Sequence, residues 1–168
     1  MTIEARLAKM FALDDRTWLR HANPWSVWTR NTVMPLLILA VWSRLWMGWW
    51  CLLPVALVLL WNWANPLLFP QPKHMGHWAS QAVLGERVWM ARKQVPVPEH
   101  HRMAPNVLST VAAVGAMFVI YGVWHYHMWA TMFGAALVYA GKLWFLDRMA
   151  WLFREMSAAH PAYAAWLR

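Results

Sequence analysis

The side chains best suited to acid–base or metal chemistry are eight histidines set against seven aspartates and glutamates. Several gather in one stretch, where His74 and His77 form an H-x-x-H and His100 and His101 follow Glu99. Neutral imidazoles beside a carboxylate suit Zn or Fe. The metal-ligand set read from the sequence is Glu86 with His77, His100 and His101. Glu86 enters because a helical wheel through residues 77–93 puts Trp78, Ala79, Ala82, Val83, Trp89 and Met90 on one face and Glu86 in its middle. A carboxylate there must be protonated or matched by a cation or metal. A plainer alternative stays open. Gly85 can break the helix and leave Glu86 in water beside Arg87, an H-x-x-H in a Pro-flanked loop fixes neither ring, and adjacent His100 and His101 can point apart.

Two other groups are chemically suggestive. His125 and His127 lie between Trp124 and Trp129, where they could offer axial ligands to a haem or bacteriochlorin or serve as polar turn residues. Arg30, Lys142, Asp147 and Asn65 stand at similar depth near the ends of apolar runs. Together they form a candidate site for an anion or an anionic lipid headgroup; separately, Arg30 and Lys142 would snorkel to the headgroups. Ala22-Asn23-Pro24 recurs as Ala64-Asn65-Pro66, which reads as a helix start or stop, or as a pair of matched amides.

These residues must be positioned by apolar segments. The chain has 168 residues, of which 61% are hydrophobic and 13% charged, well under the roughly 25% charged of soluble domains. Apolar stretches at 25–69 and 105–147 are each about twice the ~20 residues that cross a bilayer once. The expected fold is therefore an all-α membrane protein of four transmembrane helices in two hairpins, at about 25–46, 49–68, 105–124 and 128–147. One membrane domain would comprise a segment 1–24, hairpin one at 25–69, a loop 70–104 with an interfacial helix, hairpin two at 105–147, and a tail 148–168. The sequence before the first run lacks a signal-peptide core. Met10, Phe11, Leu13, Trp18 and Leu19 could line a short interfacial helix there.

Lys and Arg abound in the N-terminal segment, the central loop and the tail, while Arg44 alone falls at a hairpin turn. Positive-inside logic assigns both termini and the loop to the cytoplasm. Tryptophans then form two belts: Trp25, Trp28, Trp61, Trp63, Trp144 and Trp151 inside, and Trp42, Trp46, Trp49, Trp50, Trp124 and Trp129 outside. The net charge of +8 is dispersed and makes no basic stripe for nucleic acid. Cys51, the lone cysteine, lies in an apolar run.

The strings HANPWSVWTR at 21–30, ASQAVLGERVW at 79–89 and KLWFLDRMAW at 142–151 resemble an uncharacterised family of small bacterial membrane proteins. That resemblance implies a bacterial inner-membrane location and brings no activity. Likeness to the tryptophan-rich sensory proteins is compositional. Phosphate loops, nucleophile elbows and H-E-x-x-H are absent. The expected role is a structural or accessory subunit of a larger membrane assembly, with the bilayer and other subunits or a second copy as partners. Its rivals are a metal-dependent enzyme with a His/carboxylate site at the cytoplasmic interface, and a small-molecule or lipid carrier.

Overall fold

Short joints interrupt the apolar helical runs, two of them at residues with positive φ. The computed structural model describes residues 15–93 and 95–167, with side chains from residue 18 onward. Among these residues there are helices and no strand. In chain order they are α1 (Asp15–His21), α2 (Pro24–Asn31), α3 (Val33–Trp42), α4 (Arg44–Met47), a 3-10 turn at Gly48–Cys51, and α5 (Leu52–Leu68). Then come α6 (Trp78–Met90), a 3-10 turn at Glu99–His101, α7 (Met103–Trp124), α8 (Met128–Ala159), α9 (Pro161–Ala164) and a final turn at Ala165–Leu167. Met10, Phe11 and Leu13 of the expected N-terminal helix lie outside the described residues, whereas Trp18 is buried and Leu19 half-buried.

Three stretches are long and apolar enough to cross a membrane: Pro24–Leu68, Glu99–Trp124 and Met128–Ala159. The first, at 45 residues, is interrupted at Gly48, whose φ of 54° is the left-handed conformation glycine adopts without steric cost. Tyr126, also at positive φ (56°), closes the joint between α7 and α8.

Contacts divide the chain into two compact units. Among the described residues, unit 1 takes 15–28, 66–93, 95–105 and 146–167; unit 2 takes 29–65 and 106–145. Unit 1 has a conventional core. Met75, Ala79, Ala82, Val83, Leu84, Val88, Met149, Leu152, Phe153 and Met156 are all buried in it. Helix α6 is central because its small residues admit close neighbours: a Cβ placed on Gly85 would stand 1.9 Å from the Met149 carbonyl oxygen. The Ser80 hydroxyl donates to the Ala22 carbonyl (2.7 Å), the Trp78 indole to Asp147 (3.1 Å), and Arg154 to the Gln81 side chain (2.6 Å).

This corrects the amphipathic wheel drawn for 77–93. Helix α6 runs unbroken through Gly85, and Ser80, Leu84, Gly85 and Val88, which lie outside the expected apolar arc, are fully buried. Trp78, Trp89 and Met90, expected within the arc, are only half-buried. Burial is not confined to one stripe, because the small residues Ala79, Ser80, Ala82 and Gly85 let neighbours close on several sides of the helix around Val83, Leu84 and Val88.

Unit 2 is the opposite. Leu39, Trp46, Leu57, Leu60, Met117, Ile120 and Phe133 all face outward. What packs is a seam of glycines. A Cβ on Gly115 would lie 2.8 Å from the Gly134 oxygen, one on Gly134 would lie 2.6 Å from the Gly115 oxygen, and one on Gly141 would lie 2.7 Å from the Leu108 oxygen. Gly122 likewise abuts Thr131.

Candidate functional site

Several polar groups among the described residues have identifiable hydrogen-bond partners. Asn23 caps α2, its Oδ1 accepting from the Trp25 N–H at 2.9 Å, while its Nδ2 donates to the Pro70 carbonyl at 2.9 Å. The repeated motif behaves differently at its second copy. Asn65 and Pro66 lie inside α5, and the fully buried Asn65 donates to the Thr29 hydroxyl at 2.8 Å. The start-or-stop reading thus describes Asn23 and fails for Asn65.

The anion or lipid-headgroup candidates have distinct surroundings. Asn65 is engaged by Thr29 and Asp147 by Trp78, while Lys142 is exposed and Arg30 half-buried. At the α7–α8 joint, His127 caps α8, with its Nδ1 accepting from the Ala130 N–H at 3.2 Å, and His125 packs on Tyr121 with ring centroids 4.7 Å apart. Arg44 reaches the same joint. Its guanidinium donates to the carbonyls of Val123 (2.8 Å) and Trp124 and to the Tyr126 hydroxyl, and lies over the Tyr126 ring at 4.2 Å. A cation on the last carbonyls of a helix satisfies groups that have no intrahelical partner.

The densest titratable group lies in unit 1. Among the described residues, His100, His101 and Glu155 form the one set of three whose potential ligand atoms all fall within 4.8 Å of one another. Pro98, in extended conformation, leads into the 3-10 turn carrying both histidines. At three residues per turn, neighbouring side chains diverge by about 120°. Rotation about the side-chain bonds nevertheless brings the ring centroids to 4.3 Å, and both Nε2 atoms lie 3.0 Å from the same Glu155 oxygen, Oε2. Trp151, one turn before Glu155 on α8, contacts both rings, at 5.8 Å from His100 and 5.1 Å from His101. The Arg148 guanidinium stacks on Trp151 at 4.4 Å.

His101 is almost wholly buried, with 1% of its side chain exposed, whereas His100 and Glu155 are 51% and 35% exposed. Glu155 lies past 147, where the fourth span was expected to end. Hydrogen bonds from His101 and then His100 hold its carboxyl below the usual glutamate range.

Of the metal-ligand set read from the sequence, the fold therefore assembles His100 and His101 and adds Glu155. Glu86 is half-buried on α6 and His77 caps that helix, its Nδ1 accepting from the Ala79 N–H at 3.2 Å; neither joins the cluster. Glu155 escaped the sequence reading because nothing in its neighbourhood repeats a ligand spacing. One signal was available. Leu152, Phe153 and Met156 mark the buried side of the last turns of α8, and Glu155 falls on its flank one turn from Trp151.

The chain is thus an all-helical protein carrying three stretches of membrane-crossing length and a His-His-Glu cluster in its self-packed unit. It belongs to a family of unknown function, DUF6653, whose model matches residues 2–167. No curated protein and no solved structure matches it.

Proposed function

We propose that the chain is a four-crossing bacterial inner-membrane protein, with both termini and the 70–104 connection cytoplasmic, that serves as a structural or accessory subunit of a larger membrane assembly. The observation that carries this reading is the reversed burial of unit 2. The most apolar windows of the three stretches are only 11%, 22% and 22% buried. Contiguous apolar surface on that scale is unfavourable in water and matches lipid tails or other apolar helices.

Length and pairing support the reading of four crossings. The stretch Pro24–Leu68 is over twice the ~20 residues of one crossing, and the Thr29–Asn65 bond joins residues on either side of Gly48. The pairs Gly115–Gly134 and Leu108–Gly141 run in opposite senses, as in a helical hairpin. Trp46, Trp49, Trp50, Trp124 and Trp129 are all highly exposed near the Arg44–Tyr126 link, consistent with an interfacial belt or a partner's contact surface.

Topology and partnership are separately testable. A reporter fused after Arg168 should read as cytoplasmic and one inserted after Gly48 as periplasmic. Affinity purification in mild detergent should return other membrane subunits, or a second copy, at fixed stoichiometry. A chain that elutes alone as a monomer at native expression levels would remove the subunit role while leaving the topology standing.

A further inference from the structure

We infer that His100, His101 and Glu155 bind a divalent transition metal of the zinc class, with a fourth coordination position open to solvent. This goes beyond the subunit role and rests on unit 1 alone. Tetrahedral zinc with bonds of ~2.0–2.2 Å places its ligand atoms about 3.3–3.5 Å apart. The two N···O separations here are 3.0 Å and all three potential ligand atoms lie within 4.8 Å of one another, so an ion would be admitted by rotation of the partly exposed His100 and Glu155 side chains. Two imidazole nitrogens and one carboxylate oxygen are also a donor set that zinc accepts while retaining a water or substrate.

The surroundings suit such a site. His101 is buried against Trp151. Its ring is fixed by the core, while His100 and Glu155 stand at the surface and can close on an ion arriving from water. Trp151 covers the apolar side of both rings. The open position consequently lies toward the exposed His100 and Glu155 side.

The test uses the full-length protein in detergent, its purification tag removed, stripped with chelator and titrated with Co²⁺. The expected result is one Co²⁺ per chain, with the strong visible absorption of four-coordinate cobalt, displaced by Zn²⁺. His100→Ala and Glu155→Gln change partly exposed side chains, and circular dichroism would verify that both variants keep their helices. Each should weaken binding on the order of 100-fold or more, beyond the effect typical of losing an outer-shell group. His77→Ala should bind like the wild type. The inference is overturned by absence of a saturable site, by binding that survives both His100→Ala and Glu155→Gln, or by loss of binding in His77→Ala.

Discussion

Gly85 lies flush against the backbone of Met149: a Cβ there would meet the Met149 carbonyl carbon at 2.5 Å as well as its oxygen at 1.9 Å. Neither atom can rotate away, because both belong to the α8 backbone. Gly85→Ala should therefore force α6 and α8 apart within unit 1 and destabilise it by about 3 kcal/mol, the upper end for overpacking. Gly76→Ala, where nothing lies within 4 Å, should be silent. Limited proteolysis in the connection at 91–98 reads the difference, with faster cleavage expected only in the Gly85 variant.

The glycine seam of unit 2 makes a parallel prediction. Gly115 and Gly122 on α7, and Gly134 and Gly141 on α8, recur at heptad spacing and bring two backbones into near contact. Gly134→Leu should separate the helices and lower thermal stability in detergent by several degrees or more, while Ala136→Leu, on the exposed side of α8, should not. Equal melting of the two variants would show that the seam carries little energy.

For Asn65 and Thr29, the measurable quantity is their coupling. In lipid-facing proteins such side-chain pairs average about 0.6 kcal/mol and reach about 1.7 kcal/mol in double-mutant cycles. Full burial of Asn65 places this pair toward the upper value. Asn65→Ala, Thr29→Ala and the double variant, unfolded in mixed micelles, supply the cycle; a coupling near zero would mean that each side chain finds another partner.

Arg44→Ala removes donors from two carbonyls at the end of α7 and from the Tyr126 hydroxyl. Losing hydrogen bonds from a charged group costs roughly 1.5–3 kcal/mol. Arg44→Lys should recover only part of this, because an ammonium cannot span several acceptors with the fixed fork of a guanidinium. Melting temperatures in the order wild type, lysine, alanine are expected.

Much of the helical plan was readable because apolar length and Pro/Gly punctuation are local properties. The helix over residues 78–90 and the breaks at Gly48 and at 125–127 belong to that class. Side-chain destinations were less readable. The alternative of a helix break at Gly85 stayed open because propensity counts the cost to an isolated helix, whereas here the missing Cβ permits contact with Met149. Asn65 looked like a cap because Asn-Pro starts helices, yet Thr29, distant in sequence, takes its amide. His100 and His101 could be named in advance, but their third member lies on another helix, and no spacing rule links residues 101 and 155.

The Arg44 link also has an order in time. On the four-crossing topology, its guanidinium must reach the far side of the membrane as part of the first hairpin. Its acceptors belong to the second. The ribosome adds 82 residues between Arg44 and Tyr126, which takes about 4–16 s at 5–20 residues per second. Throughout that interval, on this topology, the first hairpin carries the Arg44 charge without its eventual acceptors. On the same topology, arrival of α7 would supply those acceptors and tie the earlier half to the later one.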